Sequence, residues 1–244
     1  EYNPIDGFKN NVVGTNNLVA TCIKKKIDRF ILVSTDKAVH SENIMGASKR
    51  ISEIIVQEAA KQNKVTNFAI VRFGNVIGSS GSVIPLFREQ IFRGGPVTVT
   101  DENMTRYFMS ISEASQLVLL AGSYGSEGEI FILDMGKPIR IIDLAKNMIQ
   151  VYGFTEKNQS NPDGDIEIHI TKKRPGEKME EELHSSLELK PTNHKKVNKA
   201  IEDYPENFDI NYFLNEVAII LKNRNTDKLY EILSSFKEFK IKKK

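Results

Sequence analysis

Residues 34–50, STDKAVHSENIMGASKR, bring together side chains that can move protons. Ser34–Lys37 supply two hydroxyls, a carboxyl group and an amine at the end of the apolar run RFILVS. A carboxyl group and an amine placed side by side can act as general acid and general base. Met45 and Lys49 follow, four residues apart, so they share one face of the helix predicted there. Met45 is the unexpected member, because a thioether cannot accept a proton.

Alternating helices and buried strands position these side chains. Helical periodicity covers 6–26 and 44–62, whereas the apolar runs at 29–34 and 67–73 are too continuous for half-exposed strands. This order predicts α/β layering with a parallel sheet, and it places Ser34–Lys37 where ligands of open α/β sheets bind. The later pattern predicts helices at 84–93, 111–122 and 140–153 and strands at 96–100, 129–134 and 166–171.

Two glycine clusters are candidates for holding phosphate. Gly122, Gly125 and Gly128 have the GxxGxxG spacing, but they follow a predicted helix and precede a strand. A dinucleotide loop needs the reverse order, because the helix N-terminus must point at the pyrophosphate, so we interpret this cluster as a loop. The segment GNVIGSSGS (74–82) follows a strand and precedes a helix. It predicts either a nucleotide fingerprint or a loop for another phosphorylated ligand.

The composition narrows the class of protein. The chain has 244 residues, 40% hydrophobic and 27% charged, as in a soluble globular protein of one large or two small domains. A net charge of +2 gives no reason to expect nucleic acid as a partner. The single cysteine, Cys22, excludes an internal disulfide, and the 4 histidines show no metal-ligand spacing. No apolar run approaches the roughly 20 residues of a membrane span.

Seven segments give the chain a family resemblance: NVVGTNNL, RFILVSTDKAV, NIMGASKR, VRFGNVIGSSGSVIPLFREQI, GGPVTVTDENMTRYFMSISEASQLVL, GEIFILDMGKP and RPGEKMEEEL. Together they cover about residues 3–196, and they resemble the CapD-like polysaccharide biosynthesis proteins. These are nucleotide-sugar 4,6-dehydratases of the extended short-chain dehydrogenase/reductase superfamily, in which a Tyr-x-x-x-Lys pair lies on the helix predicted at 44–62. Longer members of the family commonly replace the tyrosine with methionine, which suits Met45. The segment HSEN lacks the proline that members often carry there.

The resemblance implies an α/β fold with the Rossmann-like parallel sheet of these enzymes, its N-terminal portion missing, plus a small C-terminal substrate-binding domain. Residues 1–75 would be the C-terminal part of the NAD(P)-binding domain. Residues 76–196 would be a mixed substrate-binding region with returning Rossmann elements, and 197–244 a C-terminal helical extension. Because the chain begins at Glu1, we expect the dinucleotide fingerprint, and by analogy a set of transmembrane helices, to lie upstream.

The activity that the resemblance implies is a lyase reaction with internal redox chemistry on a tightly bound, recycled NAD or NADP. A hydride leaves C4 of a UDP-linked hexose, the C5 proton becomes acidic, water is eliminated across C5 and C6, and the hydride returns to C6. The substrate would be UDP-N-acetylglucosamine and the product a UDP-4-keto-6-deoxy-hexosamine for capsule, O-antigen or glycan synthesis.

The catalytic roles implied by the resemblance fall on five residues. Lys37 would be the C5 base, its pKa depressed by nearby Lys49 and by the oxidised nicotinamide. Asp36 would protonate the departing C6 hydroxyl, which requires a pKa raised by burial. Thr35 would orient the C4 hydroxyl, Lys49 would hold the nicotinamide ribose, and Met45 would pack against sugar or nicotinamide. The alternative for Asp36 and Lys37 is a surface ion pair. The residues assigned to the cofactor are Ser34, Thr35, Lys49 and Val76.

The resemblance assigns the loop at 74–82 to the substrate rather than to the dinucleotide. Arg106 and Arg174 would bind the diphosphate bidentately, and Glu177 would accept from ribose hydroxyls. The alternative for either arginine is an ordinary surface cation. The complete set assigned to the substrate is Asn75, Ser80, Gly81, Ser82, Val83, Ile84, Arg106, Arg174 and Glu177.

Two other functions stay open on the sequence alone. One is a nucleotide-sugar 4-epimerase or reductase of the same superfamily, which needs no C5 base or C6 acid. The other is an inactive fragment that retains only sugar-nucleotide binding. For the dehydratase and for the epimerase alike, the resemblance implies a cytoplasmic homo-oligomer, paired through the helices at 6–26 and 44–62. It would reach the cytoplasmic face of the inner membrane only through a missing N-terminal region.

Overall fold

The computed structural model of the protein describes residues 3–174, 176–184, 188–202, 208–236, 239 and 241. Two compact units form within this part of the chain. The first contains the described residues of Glu1–Phe73, Gln116–Asp134 and Glu182–Lys244, and the second contains Gly74–Ser115 and Met135–Glu181.

The helices are α1 (Pro4–Phe8), α2 (Gly14–Lys24), α3 (Ile44–Gln62), α4 (Val83–Phe92), α5 (Ile111–Tyr124), α6 (Ile141–Val151), α7 (Ile210–Lys222) and α8 (Thr226–Ser234). The strands are β1 (Arg29–Thr35), β2 (Asn67–Phe73), β3 (Asn75–Val76), β4 (Val97–Val99), β5 (Thr105–Arg106), β6 (Phe108–Met109), β7 (Glu127–Leu133), β8 (Ile139–Arg140), β9 (Glu156–Lys157), β10 (Ile166–Ile170), β11 (Leu189–Pro191) and β12 (Val197–Ala200). A π-helical turn, Lys9–Val13, joins α1 to α2.

A five-stranded sheet in the order β1-β2-β7-β12-β11 forms the centre of the first unit. β1, β2 and β7 are parallel, as their apolar character predicts, since strands covered on both faces need apolar residues throughout. β12 and β11 extend the sheet in the antiparallel direction, which the sequence does not predict. The segment predicted as a helical extension from residue 197 therefore begins with a strand, and its helices α7 and α8 come later.

Helix α3 has the bounds predicted from its periodicity and lies against β1, β2 and β7. It also contacts α1, α2 and α7, and its buried residues lie around its whole circumference rather than along one stripe. The side chain of Asn43 caps the helix by accepting from the Gly46 N–H at 2.8 Å. Because neighbours surround α3, the residues of its first turns have fixed positions.

Of the glycines at 122, 125 and 128, Gly125 lies in the loop predicted for this cluster, whereas the other two lie in regular elements. Gly122 lies inside α5 and Gly128 inside β7. A Cβ on Gly122 would come within 2.1 Å of Ile31 Cδ1, and one on Gly125 within 2.6 Å of Ala69 Cβ. Only glycine lets α5 and the following turn approach the sheet this closely.

The second unit contains a three-stranded sheet, β4-β10-β9, and the two-stranded pairs β3-β6 and β5-β8. Helices α4 and α6 pack on β4, and the shared core includes Phe87, Ile91, Val97 and Ile149. The two-residue strands are too short for a periodic signal, so the sequence predicts only β4 and β10 here. None of the helices in the described part of the chain combines the length and apolar character that a bilayer crossing requires.

Candidate active site

Strand β1 delivers three reactive side chains into a tight turn. β1 ends at Thr35, and a 3₁₀ turn, Asp36–Ala38, follows directly. The Thr35 hydroxyl donates to Asp36 Oδ1 at 2.8 Å, and Lys37 Nζ donates to the same oxygen at 2.9 Å. Thr35 Oγ1 also accepts from the Lys37 N–H at 3.4 Å. Alcohol, carboxylate and amine therefore form one connected group at the carboxyl end of a parallel strand.

Burial separates this group from an ordinary surface ion pair. The Asp36 side chain is only 1% exposed, whereas that of Lys37 is 23% exposed. Asp36 Oδ2 is buried and has no hydrogen-bond partner among the described residues. An unsatisfied buried carboxylate oxygen is costly, so it is a feature that calls for a partner. The carboxyl group has one oxygen shared by Thr35 and Lys37 and a second that a ligand could engage.

The start of α3 holds this turn in place. A Cβ on Gly46 would lie 2.1 Å from the Lys37 carbonyl oxygen, so glycine is required for this close approach. The Ser41 hydroxyl reaches the carbonyl oxygens of Lys37 and Ala38 at 3.1 and 3.0 Å. Gly46 directly follows Met45, but the sequence MGASK gives no sign that Gly46 packs against the turn at Asp36–Ala38.

Lys49 lies one turn beyond Met45 and reaches back to β1. Its Nζ donates to the Val33 carbonyl oxygen at 2.7 Å. Burial lowers the pKa of Lys49 from its ordinary value, and the negative charge of Glu53 partly opposes this effect. The Met45 side chain is exposed. The side chain of Asn11, in the π-helical turn, donates to Ser48 Oγ at 2.8 Å and so ties that turn to the start of α3.

A buried cluster of charged residues lies next to this site, and the sequence analysis does not predict it. Glu53 accepts from Arg72 Nε at 2.7 Å, from Arg72 Nη2 at 2.6 Å, from Ser34 Oγ at 2.5 Å and from Arg50 Nη1 at 3.2 Å. Arg72 Nη1 donates to Glu202 at 2.6 Å. Burial alone would raise the pKa of Glu53, but the charge and hydrogen bonds of Arg72 outweigh it, and the pKa is lowered. Burial alone would lower the pKa of Arg72, but Glu53 and Glu202 outweigh it, and the pKa is raised.

Ser34 belongs to this cluster rather than to an open surface. It is buried, and its hydroxyl donates to Glu53, so only its backbone remains suited to the cofactor contact predicted for it. The sequence feature from which the cluster could have been predicted is Arg72, an arginine inside the apolar run NFAIVRF. A buried cation requires a buried anion, and Glu53, four residues after Lys49, was the nearest such residue on α3.

In the second unit, the residues predicted for the substrate form two groups. The first is the segment after β2. Asn75 and Val76 make up β3, paired with β6, and Gly78 and Gly81 have positive φ angles of 76° and 72°. Ser80 and Gly81 are exposed, while Ser82, Val83 and Ile84 lead into α4 and are half-buried. Ser82 Oγ has no hydrogen-bond partner among the described residues. Backbone N–H groups at such a helix start can receive a phosphate.

The second group surrounds Arg106. Its Nη1 donates to the Thr105 and Met179 carbonyl oxygens at 2.6 and 3.1 Å, and its Nη2 donates to the Lys178 carbonyl oxygen at 2.9 Å. Arg106 is 7% exposed, so it is not a surface cation. In these contacts its guanidinium holds the backbone of residues 178–179, and the bidentate phosphate contact predicted for it would have to use the remaining N–H groups.

Glu177 and Arg174 lie just before residues 178–179, whose backbone Arg106 holds. Glu177 Oε2 accepts from the Arg174 N–H at 2.9 Å, and Glu177 Oε1 lies 3.7 Å from Arg106 Nη2. The Arg174 side chain is exposed. The carboxylate of Glu177 thus holds the backbone of Arg174, and its contact with a ribose stays a prediction. No group of three or more His, Cys, Asp or Glu side chains among the described residues could hold a metal ion.

Comparison with solved structures places this architecture in a known class. Pen from Bacillus thuringiensis, 31% identical, superposes with a TM-score of 0.73 over 90% of this chain and 71% of Pen. The dTDP-glucose 4,6-dehydratase of Bacillus anthracis, solved in complex with NAD, has a TM-score of 0.60 over 72% of this chain and 59% of its own. At 17% identity, that second likeness concerns the fold alone. The protein has the Rossmann-like α/β fold of extended short-chain dehydrogenases/reductases, as the sequence predicts.

Sequence comparison gives the family. The family model for the Polysaccharide biosynthesis protein matches residues 1–202, and the chain belongs to this family. The capsular polysaccharide biosynthesis protein CapD of Staphylococcus aureus is 46% identical over 237 residues, which are 95% of this chain and 37% of CapD. EpsC of Bacillus subtilis, a probable polysaccharide biosynthesis protein, is 49% identical over 189 residues, 78% of this chain and 30% of EpsC. The predicted CapD-like identity is confirmed.

An epimerase is also among the relatives. The UDP-glucose 4-epimerase of Rickettsia rickettsii is 37% identical over 191 residues, which are 78% of this chain and 53% of that enzyme. The chain thus spans about a third of the length of CapD and EpsC and about half of the epimerase.

Proposed function

We propose that the protein is part of a nucleotide-sugar 4,6-dehydratase that converts UDP-N-acetylglucosamine to a UDP-4-keto-6-deoxy-hexosamine for polysaccharide synthesis. One observation carries the proposal: Thr35 and Lys37 converge on one oxygen of a buried Asp36 at the end of a parallel strand. Elimination of water from a sugar needs an acid and a base close together, and this group supplies both. Membership of a polysaccharide biosynthesis family supports the same class of substrate.

The donor set suits a nicotinamide dinucleotide, NAD or NADP. An ammonium group carries three donors, and the Val33 carbonyl takes one from Lys49. The others suit ribose hydroxyls, while the backbone of Ser34 and the Thr35 hydroxyl complete the proposed contacts in this unit. The cofactor contact of Val76, in the second unit, stays a prediction. When bound, the dinucleotide would supply the hydride acceptor for C4 and the hydride donor for C6. The NAD bound by the Bacillus anthracis dehydratase is consistent with this proposal.

The chain's own residues manage the protons. Thr35 orients the C4 hydroxyl and relays its proton toward Asp36, with which it already shares a hydrogen bond. Lys37 removes the proton from C5, since a neighbouring 4-keto group makes that proton acidic. Asp36 gives a proton to the C6 hydroxyl so that it departs as water. Met45, which cannot exchange protons, contributes only packing against the sugar or the nicotinamide.

These roles define which proton state is active. Elimination needs a protonated Asp36 and a neutral Lys37, whereas an ordinary ion pair has the proton on the amine. The proton that Asp36 gives to the C6 hydroxyl is the one that Thr35 relays from the C4 hydroxyl, so Asp36 begins the cycle as a carboxylate and Lys37 as a neutral amine. Lys37 returns the C5 proton when C6 is reduced, and the cycle ends with no net change in protons.

The UDP end of the substrate is assigned to the second unit. The backbone of residues 80–84, at the start of α4, would receive a phosphate together with Arg174. Asn75 would add an amide contact, and Glu177 a contact to the ribose. Arg106 would then act mainly by holding the loop that carries the other two charged residues.

The rival proposal is a 4-epimerase, favoured by the similarity to the Rickettsia enzyme. Epimerisation needs neither the C5 base nor the C6 acid, so the Asp36–Lys37 pair argues against it. A binding fragment without activity is the third possibility, and the assay described next separates all three.

The test uses the longest polypeptide that the reading frame encodes, incubated with UDP-N-acetylglucosamine and NAD or NADP, with product mass as the readout. A dehydratase gives a product lighter by one water, an epimerase gives an isomer of equal mass, and a binding module gives no product. Lys37→Ala should reduce elimination by about 10²–10⁴-fold, the range for lost acid–base catalysis. Lys9→Ala, on an exposed lysine in the same unit, is the control. Full turnover in Lys37→Ala would remove Lys37 as the base.

A further inference from the structure

Glu53 is a buried carboxylate to which the proposed mechanism gives no role. Its side chain is 0% exposed and lies on α3, one turn after Lys49. Burying a carboxylate is costly, so its retention inside the fold needs a compensating arrangement. That arrangement is the cluster of Ser34, Arg50, Arg72 and Glu202 around it.

Two contacts, one helical turn apart, tie α3 to consecutive residues of β1. Lys49 Nζ bonds to the Val33 carbonyl oxygen at 2.7 Å, and Glu53 Oε1 accepts from Ser34 Oγ at 2.5 Å. The next residues of the strand are Thr35 and Asp36, the start of the reactive group. The position of the Glu53 carboxylate therefore bears on where the strand end is held, and with it the Val33 carbonyl that binds the Lys49 amine.

The carboxylate is itself fixed from the sheet side. Arg72 is the register partner of Ser34 on the neighbouring strand, so both side chains converge on Glu53 from adjacent positions. Two nitrogens of Arg72 bind the two oxygens of Glu53, and the third binds Glu202 at 2.6 Å, beyond the end of β12. A bidentate contact of this kind fixes orientation as well as distance.

The charges around Lys49 come from several elements. Arg50 lies on α3, Arg72 on β2 and Glu202 beyond β12, and the Asp36–Lys37 pair lies in the turn packed against the start of α3. Glu53 carries the negative charge on the same helix face as Lys49, since residues four apart are neighbours on a helix. Burial lowers the pKa of Lys49, and Glu53 opposes that effect.

We propose that Glu53 is a positioning residue: its carboxylate, anchored by Arg72 and Ser34, fixes the end of β1 on which the Lys49 amine rests and supplies the negative charge one helical turn beyond that amine. The catalytic consequence rests on the proposed function, because it assumes that a charged Lys49 holds the dinucleotide. The effect on Lys49 itself does not depend on any activity, so it can be tested separately.

The test measures how fast acetic anhydride in trace amounts labels Lys49, by peptide mass spectrometry, between pH 6 and 11. In Glu53→Gln the labelling midpoint of Lys49 should move to lower pH, with labelling at pH 8 about threefold or more faster, since each pKa unit changes the neutral fraction tenfold. Glu58→Gln, the same change on a more exposed face of α3, should leave the curve in place. A purely structural role would change labelling at every pH without moving the midpoint, and that result would overturn the proposal.

A second variant keeps the test decisive if Glu53→Gln does not fold, as judged by circular dichroism. Glu202→Gln removes one negative charge from the outer end of the same cluster, so the Lys49 midpoint should move in the same direction by a smaller amount. An unmoved midpoint in this folded variant would contradict the proposal. If the midpoints move as expected while the polypeptide has no dehydratase activity, the positioning role stands and the proposed function fails.

Discussion

At the scale of single residues, the site depends on what each of the two oxygens of the Asp36 carboxyl group contacts. Asp36 Oδ1 is shared by Thr35 and Lys37, and Oδ2 has no hydrogen-bond partner among the described residues. In the proposed mechanism the threonine hydroxyl links a sugar hydroxyl to this carboxyl group, and in the structure it accepts from the Lys37 N–H at the start of the turn. A hydroxyl at position 35 therefore matters more than the shape of the side chain.

The pair Thr35→Val and Thr35→Ser tests this point. Valine has nearly the shape of threonine but no hydroxyl, so we expect turnover to fall by about 10²-fold, the lower range for a lost proton-transfer step. Serine keeps the hydroxyl and should retain most of the activity. Steady-state turnover with UDP-N-acetylglucosamine is the measurement, alongside melting temperature to show that both variants fold. Equal turnover in the two variants would exclude a role for the hydroxyl.

At the scale of elements, the contact between the start of α3 and the Asp36–Ala38 turn decides the geometry. Gly46→Ala should destabilise the protein, although alanine is the better helix former by about 1 kcal/mol. The added Cβ would lie 2.1 Å from the Lys37 carbonyl oxygen, so the helix or the turn must shift. Gly14→Ala is the matched control, because its Cβ would meet nothing within 4 Å.

Thermal unfolding and dehydratase turnover measure the outcome for both glycine variants. We expect Gly14→Ala to raise the melting temperature slightly and leave turnover unchanged, and Gly46→Ala to lower both. If Gly46→Ala behaved like Gly14→Ala, the close approach between α3 and the turn would not be a constraint on the site.

The guanidinium group of Arg106 holds the loop that carries Arg174 and Glu177 in position. Arg106→Lys keeps the charge but loses the planar set of donors that reaches the Thr105, Lys178 and Met179 carbonyl oxygens. We expect the KM for the UDP-sugar to rise about tenfold or more while kcat changes little, because we propose that the loop binds the UDP end of the substrate, away from the reacting carbons. Arg93→Lys, on an exposed arginine of the same unit, should change neither. A fall in kcat with unchanged KM would assign Arg106 to the chemistry instead.

The elements also show how far sequence reasoning reaches. Helix α3 and strand β2 have the predicted bounds, because long periodic and continuous apolar segments are the strongest local signals. β12 was predicted as helix, since four residues pairing with a distant strand leave no local pattern. In the site, Thr35–Lys37 could be placed at a strand end from the sequence. The packing role of Gly46 and the ion cluster of Glu53 could not, because both depend on contacts between segments distant in the chain.

At the scale of the whole molecule, the C-terminal segment is part of the main core and not an appendage. α7 contacts α3, and Phe213 on α7 lies 6.4 Å from Phe8 on α1, measured between ring centroids. Glu202 joins the buried ion cluster from the same part of the chain. Pairing of two copies through the helices at 6–26 and 44–62 stays a prediction, and it would have to accommodate α7 beside α3.

The buried cluster should make stability depend on acid pH. The pKa of Glu53 is lowered in the folded protein from its ordinary value of 4.5, so unfolding takes up a proton in the acid range. The stabilisation is therefore fully present above pH 4.5 and is lost as pH falls through the lower folded pKa. We expect urea unfolding midpoints that change little between pH 7 and 5 and then fall steeply. The lowered pKa of Glu129 contributes with the same sign.

Variants separate the cluster from the general acid sensitivity of a folded protein. Glu53→Gln leaves Arg72 as a buried cation without its main anion, so at pH 7 we expect a loss of about 3–5 kcal/mol in the free energy of unfolding. Its stability should then fall less steeply than that of the unmodified protein below pH 4.5, because the group that titrates has been removed. Glu58→Gln should keep both the stability and the steep acid limb. An acid limb equally steep in Glu53→Gln would mean that other carboxyl groups control the transition, and that the cluster is not the main source of acid sensitivity.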